Sequence, residues 1–248
     1  MSQEDNNFYD DYPFKYGYSS KSEIIKNMHP FLKELIELSK SKIITDVGCG
    51  CGRNLLYASK FAYKLIGIDL SRQSLDFINS FIKSKNLHLI EADNLNLPLE
   101  ENSSDLVISD GVIHHTGDTF KAFKECIRIL KDNGFLYLAV YKKFRYYPFL
   151  YFTFGFFLRL LNKTRFGHFI MENTFVLLHY MIYKIFKNRQ LILAETRSIF
   201  YDYFITPIAT FHSKSQIKSW ILDLNCILEK YDRTSGNCHV FIIRKNEK

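Results

Sequence analysis

The stretch Ile44-Thr45-Asp46-Val47-Gly48-Cys49-Gly50-Cys51-Gly52-Arg53-Asn54 ends an apolar run and opens a helical one. Three glycines in five residues let the backbone turn sharply and come close to a ligand. The helix that follows presents free N–H groups at its start. A second apolar run ends in Ile68-Asp69, 21 residues after Gly48. An acid at that distance suits the hydroxyls of a ribose. The bland alternative is a tight strand-to-helix turn with no ligand. The coincidence of the loop, Asp46, Asp69 and the order of the strands weighs against it. A nicotinamide dehydrogenase competes for the same loop, but its fingerprint needs Gly or Ala three residues after the second glycine. Arg53 stands there instead.

Around the loop, apolar runs alternate with helical spacing. Buried strands are predicted at Lys42–Val47, Lys64–Asp69, Leu87–Ala92, Leu106–Ser109 and Leu136–Tyr141. Helices are predicted at Asn54–Phe61, Ser71–Ser84 and Thr119–Leu130, with Ser71 as an N-cap and Asn133-Gly134 as a stop. One more spans Ser22–Leu38. Such alternation means an α/β fold, a parallel sheet with helices on both faces. Near the end, Ser213-Lys214-Ser215-Gln216 reads as a capping box opening a helix to about Leu224. Ile227–Asp232 and His239–Arg244 form a hairpin around Ser235-Gly236-Asn237, which puts one antiparallel strand into the sheet.

The chain has 248 residues, enough for one large domain or one domain with an insertion. Five cysteines without a C-x-x-C pair argue against a disulfide scaffold or a zinc site, so no metal is expected and free thiols fit a reducing cytosol. The acidic, polar start gives no sign of a signal peptide. The net charge of +7 is unevenly spread: residues 142–189 hold nine basic side chains and one acid, Glu172. Nineteen of the 40 aromatic residues lie in 144–204. The expected organisation is an acidic, tyrosine-rich arm at 1–20, extended or mobile, and a single domain at 21–248 with an aromatic, basic helical insert at about 144–204.

The seven residues from Asp46 to Gly52 resemble the first motif of the class I S-adenosylmethionine-dependent methyltransferases. The likeness covers roughly residues 40–141, and the last helix and hairpin in outline. It implies a Rossmann-like sheet of seven strands in the order 3-2-1-4-5-7-6, mostly parallel with the last strand antiparallel, and S-adenosyl-L-methionine as cofactor. By the same resemblance Asp46, Gly48, Gly50 and Gly52, with Cys49 between them, line the methionine and ribose part. Asp69, followed by Leu70, matches the acid on the ribose hydroxyls. Ala92-Asp93-Asn94 matches the segment whose acid holds the adenine amine. Leu130-Lys131-Asp132-Asn133-Gly134 matches an L-K-P-G-G turn, with Asp132-Asn133 in place of Pro-Gly.

After the fourth strand comes Ser109-Asp110-Gly111-Val112-Ile113-His114-His115-Thr116. The resemblance puts Asp110 and Gly111 at the methionine end and His115 near the acceptor, where an imidazole suits a general base. The alternative is that both histidines only support the turn. No N-P-P-Y or D-P-P-Y tetrad is present, which argues against an exocyclic amine of a base as acceptor. Downstream, Asp202-Tyr203-Phe204-Ile205-Thr206-Pro207, then His212-Ser213 and Trp220, resemble a subgroup with D-aromatic-x-x-x-P, H-[ST] and W. That likeness sets Asp202 and His212 on the acceptor side; Trp220 reads equally as core. Tyr16 and Tyr18 of the arm are expected on the acceptor side, closing over the cofactor as arm aromatics do in similar enzymes; the alternative is a disordered tail.

Insertions after the fifth strand commonly form the acceptor lid in this fold. Three readings of the insert stay open: a cap packed on itself and the sheet, an aromatic pocket for a hydrophobic acceptor, and an interfacial patch on an anionic membrane through 144–189. Its longest charge-free run, Tyr146–Leu158, has 13 residues, short of the roughly 20 needed to span a bilayer. Phe outnumbers Tyr and Trp there, and the basic residues flank apolar runs, which argues against nucleic acid. The expected activity is methyl transfer to an oxygen or nitrogen of a small, hydrophobic or lipid-like acceptor, with His115, Asp110 and His212 as candidate catalytic groups. An RNA or protein acceptor, or a non-catalytic cofactor-binding module, is the alternative. The expected setting is the cytoplasm, with a peripheral place at a membrane surface left open; the oligomeric state is not readable.

Overall fold

The computed structural model describes residues 8–13, 21–186 and 192–247. Seven strands form one sheet: β1 (Ile43–Val47), β2 (Lys64–Asp69), β3 (Leu87–Glu91), β4 (Ser104–Asp110), β5 (Leu130–Tyr141), β6 (Cys226–Asp232) and β7 (Cys238–Lys245). Their order is β3-β2-β1-β4-β5-β7-β6, and β7 runs antiparallel to both β5 and β6. This is the order that the resemblance implied. Every pair between β3 and β5 is parallel, including β1 with β4.

Side chains alternate along a strand, so each strand feeds two cores. Ile44, Leu65, Leu106, Ile108 and Tyr137 point to one face, where the helices Pro30–Leu38, Arg53–Ala58 and Arg72–Phe81 cover them. Val47, Ile66, Val107, Leu136 and Phe241 point to the other, under Thr119–Ile129 and Lys214–Asp223. Burial on both faces explains why these strands read as continuous apolar runs.

Four local readings change. The single helix expected at Ser22–Leu38 is two, Lys21–Lys26 and Pro30–Leu38. Proline has no N–H and favours the first helical turn, and His29 Nδ1 accepts from Phe31 N at 3.2 Å to cap it. The strand expected from Leu136 begins at Leu130, with the register against β4 slipping between Ser104 and Leu106. Asn133, not Gly134, takes the left-handed turn there, at φ 61°. Only half of the capping box forms: Ser213 Oγ accepts from Gln216 N, while the Gln216 side chain turns to His212.

Between β5 and the helix Lys214–Asp223 the chain builds a helical layer. It comprises Tyr146–Phe152, Phe154–Asn162, Arg165–Ile170, Leu177–Phe186 and Leu193–Phe200, with π-helical turns at Met171–Val176 and Tyr201–Ile205. Leu158, Met171, Val176, Phe200, Tyr201 and Ile205 give it a core of its own. Tyr141, Tyr147 and Tyr151 fasten it to the sheet, and the Tyr147 and Tyr151 hydroxyls donate to the carbonyls of Tyr203 (2.9 Å) and Thr206 (3.0 Å). No helix among the described residues is long and apolar enough to cross a membrane.

The described part of the arm is not extended. Residues 8–11 make a helical turn, and Tyr12 stacks on Tyr201 with ring centroids 4.0 Å apart. Ser71 Oγ donates to Asp10 at 2.8 Å, so the turn bridges the helical layer and the end of β2.

Candidate active site

A cavity of about 380 Å³ opens over the carboxyl ends of β1, β2, β4 and β5. It lies where the chain, having gone from β1 outward to β3, crosses back to β4. Ligands of open α/β sheets sit at such a switch point.

Gly48 has φ +71°, and a Cβ on it would stand 2.1 Å from Val112 Cγ1. Only glycine fits there. The Gly48 and Cys49 N–H groups donate to Ile68 O at 2.7 and 2.9 Å, which draws the loop against β2. Gly50 N then donates to Asp69 Oδ2 at 2.7 Å, and Ser71 N to Asp69 Oδ1 at 2.9 Å. These bonds orient the carboxylate and leave further lone pairs on both oxygens. Burial pushes the Asp69 carboxyl up, against the pull of the same N–H groups.

Asp46 lies beneath the loop, fully buried. Burial first, then the charge of Asp110, pushes it up to about 7. Among the described residues Asp46 Oδ2, Asn54 Oδ1, Asn94 Oδ1 and His115 Nε2 are buried without a hydrogen-bond partner. Leaving such a group unpaired costs about 1–3 kcal/mol. Of these, Asn54, Asn94 and His115 line the cavity, and an acceptor-rich wall of this kind fits a ligand carrying N–H and O–H donors; S-adenosylmethionine carries both on its ammonium, ribose and adenine.

The far wall of the cavity is different. His115 Nδ1 meets the carbonyl of Ile208 at 2.8 Å; a carbonyl only accepts, so the proton sits on Nδ1 and the lone pair on Nε2. Asp202 Oδ1 lies 3.7 Å from Nε2, too far for a hydrogen bond. The Tyr141 hydroxyl donates to Asp202 Oδ2 at 3.0 Å. Burial raises the Asp202 carboxyl, opposed by His115 and Tyr141. Tyr9, Val112 and Tyr203 complete this side.

The cavity thus collects Gly48, Cys49, Gly50, Asp69, Leu70, Asn94, Asp110, Gly111, His115 and Asp202 from the residues singled out in the sequence. The structure does not bring the others to its wall. Asp46, expected to line the methionine and ribose part, is fully buried beneath the loop and does not reach the cavity. Gly52 caps the next helix, and a Cβ on it would meet Ile78 at 2.9 Å. The Asp93 carboxylate accepts from Leu95 N at 2.9 Å and closes a local turn; its neighbour Asn94 faces the cavity instead. His212, expected on the acceptor side, is buried away from it. Its Nε2 lies 3.0 Å from Thr210 Oγ1, its Nδ1 lies 3.2 Å from Gln216 Oε1, and its ring packs edge-on against Trp220. Asp110 reaches the cavity, but its carboxylate is engaged by the Arg53 guanidinium. Tyr16 and Tyr18 lie outside the described residues.

Sequence reasoning missed Arg53, Tyr9, Tyr141 and Tyr203, all in the cavity wall. Arg53 was visible only as the residue that spoils the dehydrogenase fingerprint. Tyr141 carried a usable signal, because it ends β5 at the carboxyl edge of the sheet.

Residues 45–138 match the family described as a methyltransferase domain. Among curated relatives, a sterol 4-C-methyltransferase of Caenorhabditis elegans is 25% identical over 126 residues, 49% of this chain and 38% of that protein. A probable tRNA methyltransferase of Bos taurus is 29% identical over 124 residues, 48% of this chain and 26% of that protein. The matched segment is therefore well under half the length of either relative. A solved S-adenosylmethionine-dependent methyltransferase structure, described as putative, from Listeria monocytogenes superposes with a TM-score of 0.58 at 15% identity. The superposition covers 88% of this chain and 97% of that one, and at that identity it speaks for the fold. Motif, match and sheet order agree: the chain carries a class I S-adenosylmethionine-dependent methyltransferase domain.

Proposed function

We propose that the chain transfers a methyl group from S-adenosylmethionine to an oxygen or nitrogen of a small, hydrophobic or lipid-like acceptor. The observation that carries this reading is His115, anchored through Nδ1 to Ile208 O and turned with a bare Nε2 toward Asp202 in the cavity wall. S-adenosylmethionine, when bound, supplies a methyl on positively charged sulfur, so the leaving group needs no acid. Asp69 would hold the ribose hydroxyls, Asn94 the adenine edge, and the Gly48–Gly50 loop with Gly111 the methionine end, over Asp46 buried beneath the loop.

What the reaction still needs is alignment and a sink for the acceptor's proton. His115 Nε2 takes that proton from a hydroxyl or amine. Asp202 then faces an imidazolium and balances its charge, while Tyr141 holds Asp202 in place. Asp110, tied to Arg53, positions and does not act as the base.

The size of the cavity bounds the acceptor. About 380 Å³ is near the lower end of ligand sites, so only the reacting end of an acceptor fits beside the cofactor. Tyr9, Val112, Tyr141 and Tyr203 give that end an apolar, aromatic lining. This supports a hydrophobic acceptor over a nucleic acid. A cytoplasmic setting belongs to the same proposal. The test incubates the full chain with methyl-labelled S-adenosylmethionine and either a total lipid extract or total tRNA. Label in the organic phase is expected. Label confined to tRNA, or no binding of S-adenosylmethionine by calorimetry, overturns the reading.

A further inference from the structure

Twenty-two large apolar side chains are exposed among the described residues, and eighteen of them lie between Phe144 and Leu193. Phe166 is 75% exposed, Phe157 69%, Phe169 63% and Phe186 78%. Scattered surface apolar residues are ordinary, but a concentration of this size on one layer marks an interaction face.

The helix Leu177–Phe186 states the problem most sharply. Its sequence, LLHYMIYKIF, is apolar nearly all round, yet none of its ten residues is buried. A helix apolar on every side belongs in a core or in lipid. The layer's own core of Leu158, Met171, Val176, Phe200, Tyr201 and Ile205 takes only one edge of it, where His179 packs edge-on against Phe200 at 5.5 Å; Leu177, Leu178, Met181, Ile182, Ile185 and Phe186 stay exposed.

Charge identifies the occupant. Lys143, Lys163, Arg165 and Lys184 are exposed around the apolar side chains. The one acid between Phe144 and Phe186 is Glu172, and Arg197 Nε holds it at 2.9 Å. A second copy docking through the same face would set like charge against like, because a two-fold interface pairs a patch with itself. A nucleic acid would meet the cations but leave the Phe, Leu and Ile side chains in water. An anionic bilayer satisfies both, burying the apolar side chains at the headgroup boundary and pairing the cations with lipid phosphates.

We propose that the outer face of this helical layer, formed by residues 144–186 with Ile192 and Leu193, docks on an anionic lipid bilayer. The chain lies on the surface and does not cross it. The same layer supplies Asp202 and Tyr203 to the cavity wall, so docking would hold the acceptor side of the site next to lipid. That last clause rests on the proposed function; the docking itself does not.

The test uses the full chain and vesicles of phosphatidylcholine with about 30% phosphatidylglycerol, followed by flotation. Binding at low salt is expected, weakened at about 1 M salt, where the Debye length falls to about 3 Å. Phe157→Ser, Phe169→Ser and Ile182→Ser combined should lower the bound fraction at least about tenfold. Thermal melting and S-adenosylmethionine affinity should be unchanged, which separates lost docking from lost folding. Lys163→Glu with Arg165→Glu should remove the preference over pure phosphatidylcholine.

Three results overturn the proposal. The folded chain fails to float with vesicles; or the serine variant floats as the parent does; or vesicles are ignored while the same substitutions dissolve a dimer in sedimentation or abolish tRNA retention. Methyl transfer to detergent-dispersed lipid is scored separately. Its absence with vesicle binding intact sinks the acceptor reading and leaves the docking face standing.

Discussion

His115 Nε2 and Asp202 Oδ1 face each other at 3.7 Å, a separation that leaves the imidazole lone pair unbonded beside a carboxylate. The pair is stable only because each group is held from behind, His115 by the Ile208 carbonyl and Asp202 by the Tyr141 hydroxyl. Replacing His115 with alanine should lower kcat by about a hundred- to ten-thousandfold and leave S-adenosylmethionine affinity unchanged. Asp202→Asn keeps an acceptor for Tyr141 but removes the balancing charge, so kcat should fall about tenfold or more. Steady-state kinetics with a titration calorimeter beside it reads both.

His212 predicts the opposite pattern. Its nitrogens are spent on Thr210 and Gln216, and burial lowers its pKa, so it stays neutral. His212→Ala should destabilise the fold by about 1–2 kcal/mol and change kcat by less than about threefold. A large loss of kcat with the melting temperature intact would place it in the chemistry after all.

Gly48→Ala adds a Cβ 2.1 Å from Val112 Cγ1 at a left-handed backbone. The conformation alone costs about 1–2 kcal/mol, and the loop must move besides. The variant should melt lower and lose cofactor binding. Adding Val112→Gly removes the obstructing side chain, so the two substitutions should couple favourably in a double-mutant cycle. Simple additivity would mean that Val112 is not what confines the loop.

Asp46 ties the site to pH. Its carboxyl is raised from 3.8 to about 7 in the fold, so well below pH 3.8 both states are protonated and the stability contribution is fully present. As pH climbs toward 7 the unfolded chain ionises first, and that contribution is lost, up to about 4 kcal/mol. The ligand-free protein should therefore melt lower at pH 8 than at pH 5, and Asp46→Asn should narrow the gap. An unchanged gap in the variant would assign the effect elsewhere.

The cofactor half of the site was readable because its chemistry is local. Gly48, Gly50 and Asp69 lie in one strand-turn-helix and the strand beside it, and their spacing reports backbone geometry directly. Pro30 was equally readable, but the apolar spacing from Ile24 to Ile36 runs through the break and hides it. The acceptor half was not readable in the same way. His115 meets Ile208 and Tyr141 meets Asp202 across long separations, and only the folded insert brings them together. His212 shows the opposite error: a residue in a suggestive motif, whose partners Thr210 and Gln216 sit two and four positions away and use it as a brace. Arg53 shows a third, a residue read for what it excluded while its contact was Asp110.

The helical layer leaves the sheet and returns to it through one narrow neck. Lys142 pairs alongside His212, with Lys143 N donating to His212 O at 3.0 Å and His212 N to Tyr141 O at 2.8 Å. The ends of the layer are thus clamped together whatever lies between them, and lengthening such a loop costs only slowly growing entropy. The neck works as a socket. A different helical plug of different length could be seated in it without disturbing a single ladder bond between β5 and β7, so the wall that carries Asp202 and Tyr203 can be rebuilt while Gly48, Gly50 and Asp69 keep the cofactor half of the site.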